Sequence, residues 1–130
     1  MRILLDTHIF LWFITDDQRL PAALRDAIRE RSNEVYLSVV SVWEAIVKHQ
    51  LGKLPLAEPP ETYLPEQRKR HSISVLPIDE PSVSRLATLP SIHRDPFDRM
   101  LVAQALEHDL TIATVDESIS AYPVTVFGQE

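Results

Sequence analysis

The fold is decided by the stretch DPFDRMLVAQALEHDLTIATVDES, residues 95–118. It opens with an acidic residue followed by proline, which is the pattern of a helix N-cap and first helical position. Apolar side chains then recur at helical spacing, at Phe97, Leu101 and Ala105, so this segment is predicted to form a helix. The short run 111–114 that follows is predicted to be a strand. A helix leading directly into a strand is the repeating unit of parallel α/β proteins.

The rest of the chain continues this alternation. Further strands are predicted at 3–5, 35–39, 73–78 and 124–127. Further helices are predicted at 8–14, from Pro21 onward, at 41–51, at 59–71 with an interruption near Pro65, and at 81–89. We therefore expect residues 1–130 to form one domain, with a mainly parallel five-stranded sheet covered by helices on both faces.

Composition excludes several classes of protein. The chain has no cysteine, which excludes disulfides, zinc-thiolate sites and cysteine nucleophiles and suits a reducing compartment. Its two glycines exclude a glycine-rich phosphate loop, and no serine has the context of a hydrolase nucleophile. We see no secretory signal and no apolar run near the roughly 20 residues that cross a membrane. The expected location is the cytoplasm, with no membrane partner.

The formal net charge of −6 is unusual for a protein that binds nucleic acid, because phosphate neutralisation supplies most non-specific affinity. The basic residues are nevertheless clustered, as in Arg68-Lys69-Arg70-His71. The charge therefore argues against a free-standing nucleic-acid binder, but it allows one that contacts phosphate through bound cations.

Four carboxylates fall where a parallel sheet gathers its ligand-binding residues. Asp6 directly follows the first strand, and Asp116 comes shortly after the fourth. A capping box at Ser41 places Glu44 in the first turn of the helix behind the second strand, and Asp98 lies in the first turn of the next long helix. Because the carboxyl ends of parallel strands meet at one edge, all four acids should project into the same region.

Each acid also has a purely structural interpretation. A carboxylate in a first helical turn interacts with the helix dipole by about 0.3–1 kcal/mol, and Glu44 and Asp98 could act as capping residues. Asp6 differs, because a carboxylate that ends a buried strand is costly without a partner or a metal. Together, two such charges about 4 Å apart would repel by roughly 4 kcal/mol at an effective dielectric of 20. Basic residues near them in sequence are Arg99 and Lys48.

A divalent cation would resolve this repulsion. All-oxygen ligands select hard ions, so we expect Mg²⁺ or Mn²⁺ at Asp6, Glu44, Asp98 and Asp116. Thr7 and Thr114 flank the acids and could orient carboxylates or water, or satisfy backbone groups at the strand ends. The five histidines show no zinc spacing, and for His8 we expect a packing or hydrogen-bonding role rather than ligation.

With these residues identified, the chain resembles PIN-domain proteins of the VapC toxin type. The similarity is carried by LLDTHIFLW (4–12), SVVSVWEAIVKHQLGKL (38–54), HRDPFDRMLVAQALEHDLTIATVDESI (93–119) and the closing strand. The most specific part is DPFDRMLVAQA followed by TVDES. These segments extend over nearly the whole chain in the order that the family has.

The resemblance implies a three-layer α/β/α fold whose acidic site matches Asp6, Glu44, Asp98 and Asp116, with Thr114 at the family's Ser/Thr position. It also implies a Mg²⁺- or Mn²⁺-dependent endoribonuclease that forms homodimers and is neutralised by a VapB-like antitoxin. Helical segments 8–32 and 59–71, with the aromatic residues Trp12, Phe13, Trp43 and Tyr63, are candidates for such contacts. For Trp43 and Phe13 a core position is an alternative.

Two other interpretations stay open at this point. The chain could be a non-catalytic PIN-like module that senses a cation or docks a partner, although such a scaffold has no need for four repelling charges. It could also use the same acids as a DNA nuclease or a phosphatase. Asp95 is an additional acid one turn before Asp98, and we interpret it as a helix cap rather than a ligand.

Overall fold

The computed structural model describes residues 1–92 and 95–128, so that His93 and Arg94 of the segment 93–119 lie outside the described residues. Its strands are β1 (Arg2–Leu5), β2 (Glu34–Ser38), β3 (Ser74–Leu76), β4 (Thr111–Ala113) and β5 (Val126–Phe127). Its helices are α1 (Thr7–Ile14), α2 (Ala22–Arg29), α3 (Val39–Gln50), α4 (Pro60–Arg70), α5 (Glu80–Arg85), α6 (Pro96–His108) and α7 (Glu117–Ser120). A 3₁₀ turn, Leu86–Thr88, extends α5.

The strands form one sheet in the order β3-β2-β1-β4-β5, and all four pairings are parallel. The central strand β1 pairs Leu4 with Tyr36 on one side and with Ile112 on the other. This confirms the predicted parallel five-stranded sheet. Because Asp6 follows the central strand directly, it lies in the middle of the carboxyl edge.

Helices cover both faces of the sheet, which gives three layers. Side chains alternate along β1, so Ile3 and Leu5 pack on one face with α1, α2 and α4, while Leu4 packs on the other face with α6 and α7. Two hydrophobic cores result, one on each side of the sheet, as expected for strands buried on both faces. None of the helices in the described ranges is long and apolar enough to cross a membrane.

The start of α3 was predicted wrongly. Ser38, not Ser41, is the N-cap, and its hydroxyl accepts a hydrogen bond from the Val40 N–H at 3.0 Å. Strand β2 therefore runs straight into α3 without a loop, and Glu44 lies in the second turn rather than the first. The capping-box pattern at Ser41 is accidental, because Ser41 is buried inside the helix.

Other boundaries also differ from the prediction. Helix α4 continues through Pro65 without interruption, although proline lacks the N–H that would bond back to the preceding turn. Leu64 is fully buried and anchors this helix against the core. Strands β3 and β5 are shorter than predicted, and the single-turn helix α7 was not anticipated.

Candidate active site

The four predicted carboxylates line one cavity of about 280 Å³. The cavity lies at the carboxyl edge of the sheet, because Asp6 follows β1, Asp116 follows β4, and α3 leaves the end of β2. Helix α6 leads into β4 from the opposite direction, so its first turn, with Asp98, also reaches this edge. We call this cavity the acid pocket; its lining comprises Asp6, His8, Trp12, Glu44, Lys48, Asp95, Asp98, Val115 and Asp116.

Asp6 is held at the end of the central strand. Its backbone N–H donates to the Ala113 carbonyl at 3.0 Å, which extends the ladder between β1 and β4 by one bond. The Thr114 hydroxyl donates to Asp6 Oδ2 at 2.7 Å. Burial raises the pKa of Asp6; the Thr114 hydrogen bond opposes this, and the charges of Glu44 and Asp116 add to it. The side chain is thus fixed but disfavoured as a free anion.

Glu44 is almost completely buried, at 2% exposure, and is held from two sides. The Thr7 hydroxyl donates to Glu44 Oε1 at 2.7 Å and lies 2.8 Å from the Ser41 hydroxyl. Lys48, one turn further along α3, forms an ion pair with Glu44 Oε2. Burial lowers the pKa of Lys48, but its contact with Glu44 and the nearby acids leave that pKa raised. Lys48 is therefore a cation of the protein itself inside the acid pocket.

Asp98 also has a strongly raised pKa. It is 7% exposed, and burial first, then the charges of Asp6, Asp95, Glu44 and Asp116, raise its pKa to about 8. Near neutral pH its carboxyl group therefore keeps its proton in the absence of a cation. This is the behaviour expected of an acid forced among other acids in a poorly hydrated pocket.

Asp95 and Asp116 both cap helices. Asp95 Oδ1 accepts from the Phe97 N–H at 2.9 Å, as expected for an N-cap, and its side chain also lines the acid pocket. Asp116 Oδ1 accepts from the Ser118 N–H at 2.9 Å and begins α7, and its own N–H donates to the Thr114 hydroxyl at 3.0 Å. Thr114 thus connects Asp116 with Asp6 through its hydroxyl group.

The residues fit a hard divalent cation, although the ligands are not already assembled around one. Among residues 1–92 and 95–128, no three His, Asp or Glu side chains are disposed to hold a metal ion as they stand. Mg²⁺ does not require this, since it is usually held by one or two carboxylates together with water and phosphate oxygens. The buried carboxylates repel one another strongly enough to raise the pKa of Asp98, and a cation would relieve that repulsion.

Five lining residues were not among the predicted ligands: His8, Trp12, Lys48, Asp95 and Val115. His8 and Trp12 follow Asp6 on α1 and face the pocket, their rings 6.3 Å apart. Lys48 had a signal in the sequence, because it lies four residues after Glu44 and helical residues at this spacing are neighbours. Trp43 lies outside the pocket, 53% exposed with its ring against Phe97 at 4.9 Å, so the core alternative for it is wrong.

Fold and site together define a parallel α/β protein with an acidic cavity at the carboxyl edge of its sheet. The family model of the PIN domain matches residues 3–124. Ribonuclease VapC22 of Mycobacterium tuberculosis is 30% identical over 129 residues, which cover 96% of this chain and 98% of that protein. The chain therefore belongs to the PIN-domain family, and within it to the VapC type.

Solved structures agree with this assignment. FitAcB from Neisseria gonorrhoeae superposes with a TM-score of 0.65 and 30% identity, covering 97% of this chain and 96% of that chain. VapBC2 from Rickettsia felis, solved bound to a DNA fragment of its promoter, gives a TM-score of 0.71 over 98% of both chains. The identity to the second is 14%, so it supports the fold alone.

Proposed function

We propose that this chain is a metal-dependent endoribonuclease toxin of the VapC type, which hydrolyses RNA phosphodiester bonds. We further propose that Asp6, Glu44, Asp98 and Asp116 hold Mg²⁺ or Mn²⁺, and that residues 1–130 act as one domain. The observation that carries this proposal is the acid pocket, where four predicted carboxylates line one cavity and where burial, with the charges of the neighbouring acids, raises the pKa of Asp98 to about 8. Membership of the PIN family and the ribonuclease name of a relative that covers nearly the whole chain add support.

The residues of the pocket would act by binding and orienting. A bound divalent cation supplies charge neutralisation and Lewis acidity at the phosphodiester. Thr114 holds Asp6 and Thr7 holds Glu44, so both carboxylates keep a fixed direction toward the cavity. Asp98 would have to give up its proton to hold a cation, which would couple cation binding to pH. Water would attack the phosphorus in line with the P–O bond that breaks, and the leaving ribose oxygen would take up a proton in exchange for the one that the water loses, so no side chain of the pocket needs to form a covalent intermediate.

The proposed partners follow from the relatives. Because similar structures are described as VapBC complexes, we propose a VapB-like antitoxin for this chain, together with homodimer formation. Half-buried Trp12 lies between the acid pocket and a second cavity lined by Leu11, Leu54 and Leu56, which is a suitable contact surface beside the site. Cytoplasmic location remains the expectation from composition.

The experiment compares cleavage of single-stranded RNA, single-stranded DNA and a small phosphate ester by the purified chain with Mn²⁺ or with EDTA. We expect cleavage of RNA that requires the cation and is lost at least a hundredfold in the double variant Asp6→Asn/Asp98→Asn. Asp109→Asn is the matched control, because Asp109 is exposed at the opposite end of α6 and its left-handed backbone, φ 55°, suits asparagine.

Each outcome separates the alternatives. Preference for DNA or for the small ester would show that the chain is a DNA nuclease or a phosphatase that uses the same acids, and not a ribonuclease. RNA binding without cleavage would favour a non-catalytic module. Cleavage by the double variant at the rate of the Asp109→Asn control would contradict the proposed mechanism.

A further inference from the structure

Two basic segments that are distant in sequence meet at one surface cleft. Arg29 and Arg31 come from the end of α2 and the turn after it, and His71 and Ser72 come from the end of α4. Two adjoining cavities share Ile28, Arg29, Arg31, His71 and Ser72 in their walls. We call this surface the basic cleft.

The basic cleft lies at the edge of the sheet opposite the acid pocket. Arg29 and Arg31 immediately precede β2, and His71 and Ser72 immediately precede β3. These residues therefore lie at the amino ends of parallel strands, whereas the acid pocket lies at the carboxyl ends. The cleft is a separate feature of the molecule.

The positive charges of the cleft are available to a ligand. Arg29, Arg31 and Arg70 are exposed, and none forms an ion pair within 1–92 and 95–128. Other exposed arginines differ, because Arg19 pairs with Asp17 and Arg85 pairs with Glu107.

Acidic residues in the walls leave the cleft an excess of one positive charge, because Arg29, Arg31 and the adjoining Arg70 stand against Asp16 and Glu30. Asp16 lines one of its walls and Glu30 the other. The Glu30 carboxylate accepts hydrogen bonds from the backbone and hydroxyl of Ser32, each at 3.2 Å. Burial lowers the pKa of His71, and the positive charges of Arg70 and Arg29 lower it further. The two arginines therefore make the electrostatic potential at the imidazole more positive.

The aromatic ring of Phe13 contacts residues from both sides of the cleft. The His71 ring meets the Phe13 ring edge-on at 5.0 Å, and the Arg29 guanidinium lies over the same ring at 6.0 Å. Cation–π contact of this kind restrains an arginine without neutralising it. Phe13 lies in the last turn of α1. This helix starts at the acid pocket with Thr7 and spans eight residues, or about 12 Å.

We propose that the basic cleft binds backbone phosphates of the RNA that the acid pocket cleaves, which rests on the proposed function. The chain carries a net charge of −6, so a surface with unpaired arginines would strengthen its attachment to a polyanion beyond the contact that bound cations provide in the acid pocket. Arginine matches phosphate geometry through its planar fork of donors. The apolar side chains of the walls are buried (Ile28, Val35, Ile73) or half-buried (Phe13, Ile14), whereas the arginines are exposed, so the cleft presents mainly charge to a ligand.

The test measures RNA binding by a chain that carries Asp98→Asn, in EDTA, so that cleavage does not contribute. A fluorescein-labelled single-stranded RNA of 20 nucleotides is titrated by anisotropy between 50 and 300 mM salt. The cleft variant is Arg29→Gln/Arg31→Gln. Its control is Lys53→Gln/Arg85→Gln, which removes the same charge from exposed positions outside the cleft walls. Thermal melting checks that both variants fold.

We expect the cleft variant to bind roughly tenfold more weakly than the control at 100 mM salt. Two lost phosphate contacts should also reduce the slope of log K against log salt by about 1.4, at about 0.7 per contact with a single strand. Equal affinity and equal slope for cleft and control variants would overturn the proposal. So would a labelled polyglutamate peptide that binds more tightly than RNA and loses affinity in the cleft variant, because that result assigns the cleft to an acidic protein partner. If the cleft variant binds RNA as well as the control does, the result of the Mn²⁺-dependent cleavage assay still stands. The two proposals are therefore tested separately.

Discussion

Individual carboxylates in the acid pocket differ in how their charge is balanced. Glu44 has its charge compensated by Lys48, which lies next to it on α3. Asp98 instead has a pKa raised to about 8 by burial and by neighbouring acids. In the absence of a divalent cation, the pocket therefore contains the Glu44–Lys48 ion pair and a proton retained on Asp98. A cation that enters must displace that proton.

The retained proton makes the stability of the cation-free chain depend on pH. An unfolded Asp98 loses its proton near pH 3.8, whereas the folded one keeps it up to about pH 8. The folded state therefore holds more protons in this window, and stability falls as pH rises from about 4 to about 8. Asp98→Asn removes this loss, so in EDTA its free energy of unfolding should exceed that of the natural chain by a margin that grows toward pH 8, on the order of 1–3 kcal/mol, and its melting temperature should be higher accordingly.

Circular dichroism melts between pH 5 and pH 9 measure this difference. Asp109→Asn serves as the control, since it removes an exposed carboxylate at the other end of α6. We expect its melting temperature to follow that of the natural chain at every pH. A constant offset for Asp98→Asn across the range would mean that this carboxyl is already ionised near neutral pH.

The positions of the acids follow from where the strands and helices begin and end. β1 ends at Leu5, so Asp6 emerges at the carboxyl edge, and β2 runs into α3 at Ser38, which brings Glu44 over the same edge. β5 contributes indirectly, because the Thr114 N–H donates to the Phe127 carbonyl at 3.1 Å. Thr114 in turn orients Asp6. The end of β5 therefore helps to hold Thr114, and through it Asp6, in position.

Substitution of Gly128, which follows β5, tests whether the end of this strand holds Thr114 in position. This glycine has φ +117°, and a Cβ there would lie 2.8 Å from the Thr114 carbonyl oxygen and 2.9 Å from Leu24 Cδ1. Gly128→Ala should therefore lower the free energy of unfolding by about 2–4 kcal/mol, through backbone strain and displacement of Thr114. Urea unfolding followed by fluorescence measures the loss.

Gly52→Ala is the matched control for this substitution. Gly52 also has a positive φ, +72°, but a Cβ there would meet nothing within 4 Å. It should cost about 1–2 kcal/mol, the strain alone. Equal losses for the two variants would show that contact with Thr114 contributes nothing.

The sequence predicted elements well where one apolar pattern dominated. The apolar run of β1 and the capped, periodic α6 were predicted, and their acids with them. The start of α3 was missed because Ser41 has the capping-box glutamate Glu44 three residues on, whereas Ser38, which is the actual cap, has no such partner in the sequence. The continuity of α4 through Pro65 depends on burial of Leu64, a tertiary contact that local propensity does not contain.

The molecule as a whole separates its charges along the strand direction. Acids gather at the carboxyl edge, and unneutralised arginines gather at the amino edge around His71. The alternation of strands and helices predicted the first group, because it fixes which ends meet. It did not predict the second group, since the meeting of Arg29 with His71 through Phe13 depends on how α1, α2 and α4 pack.

The most direct test of the acid pocket as a cation site is a calorimetric titration with Mn²⁺ of the natural chain, Asp6→Asn, Asp98→Asn and Asp109→Asn. We predict one binding region in the natural chain and in Asp109→Asn, with affinity at least tenfold lower in the two pocket variants. Proton release on binding should accompany it near pH 7, because Asp98 has a pKa of about 8 before the cation enters. Equal Mn²⁺ affinity in all four proteins would contradict the account.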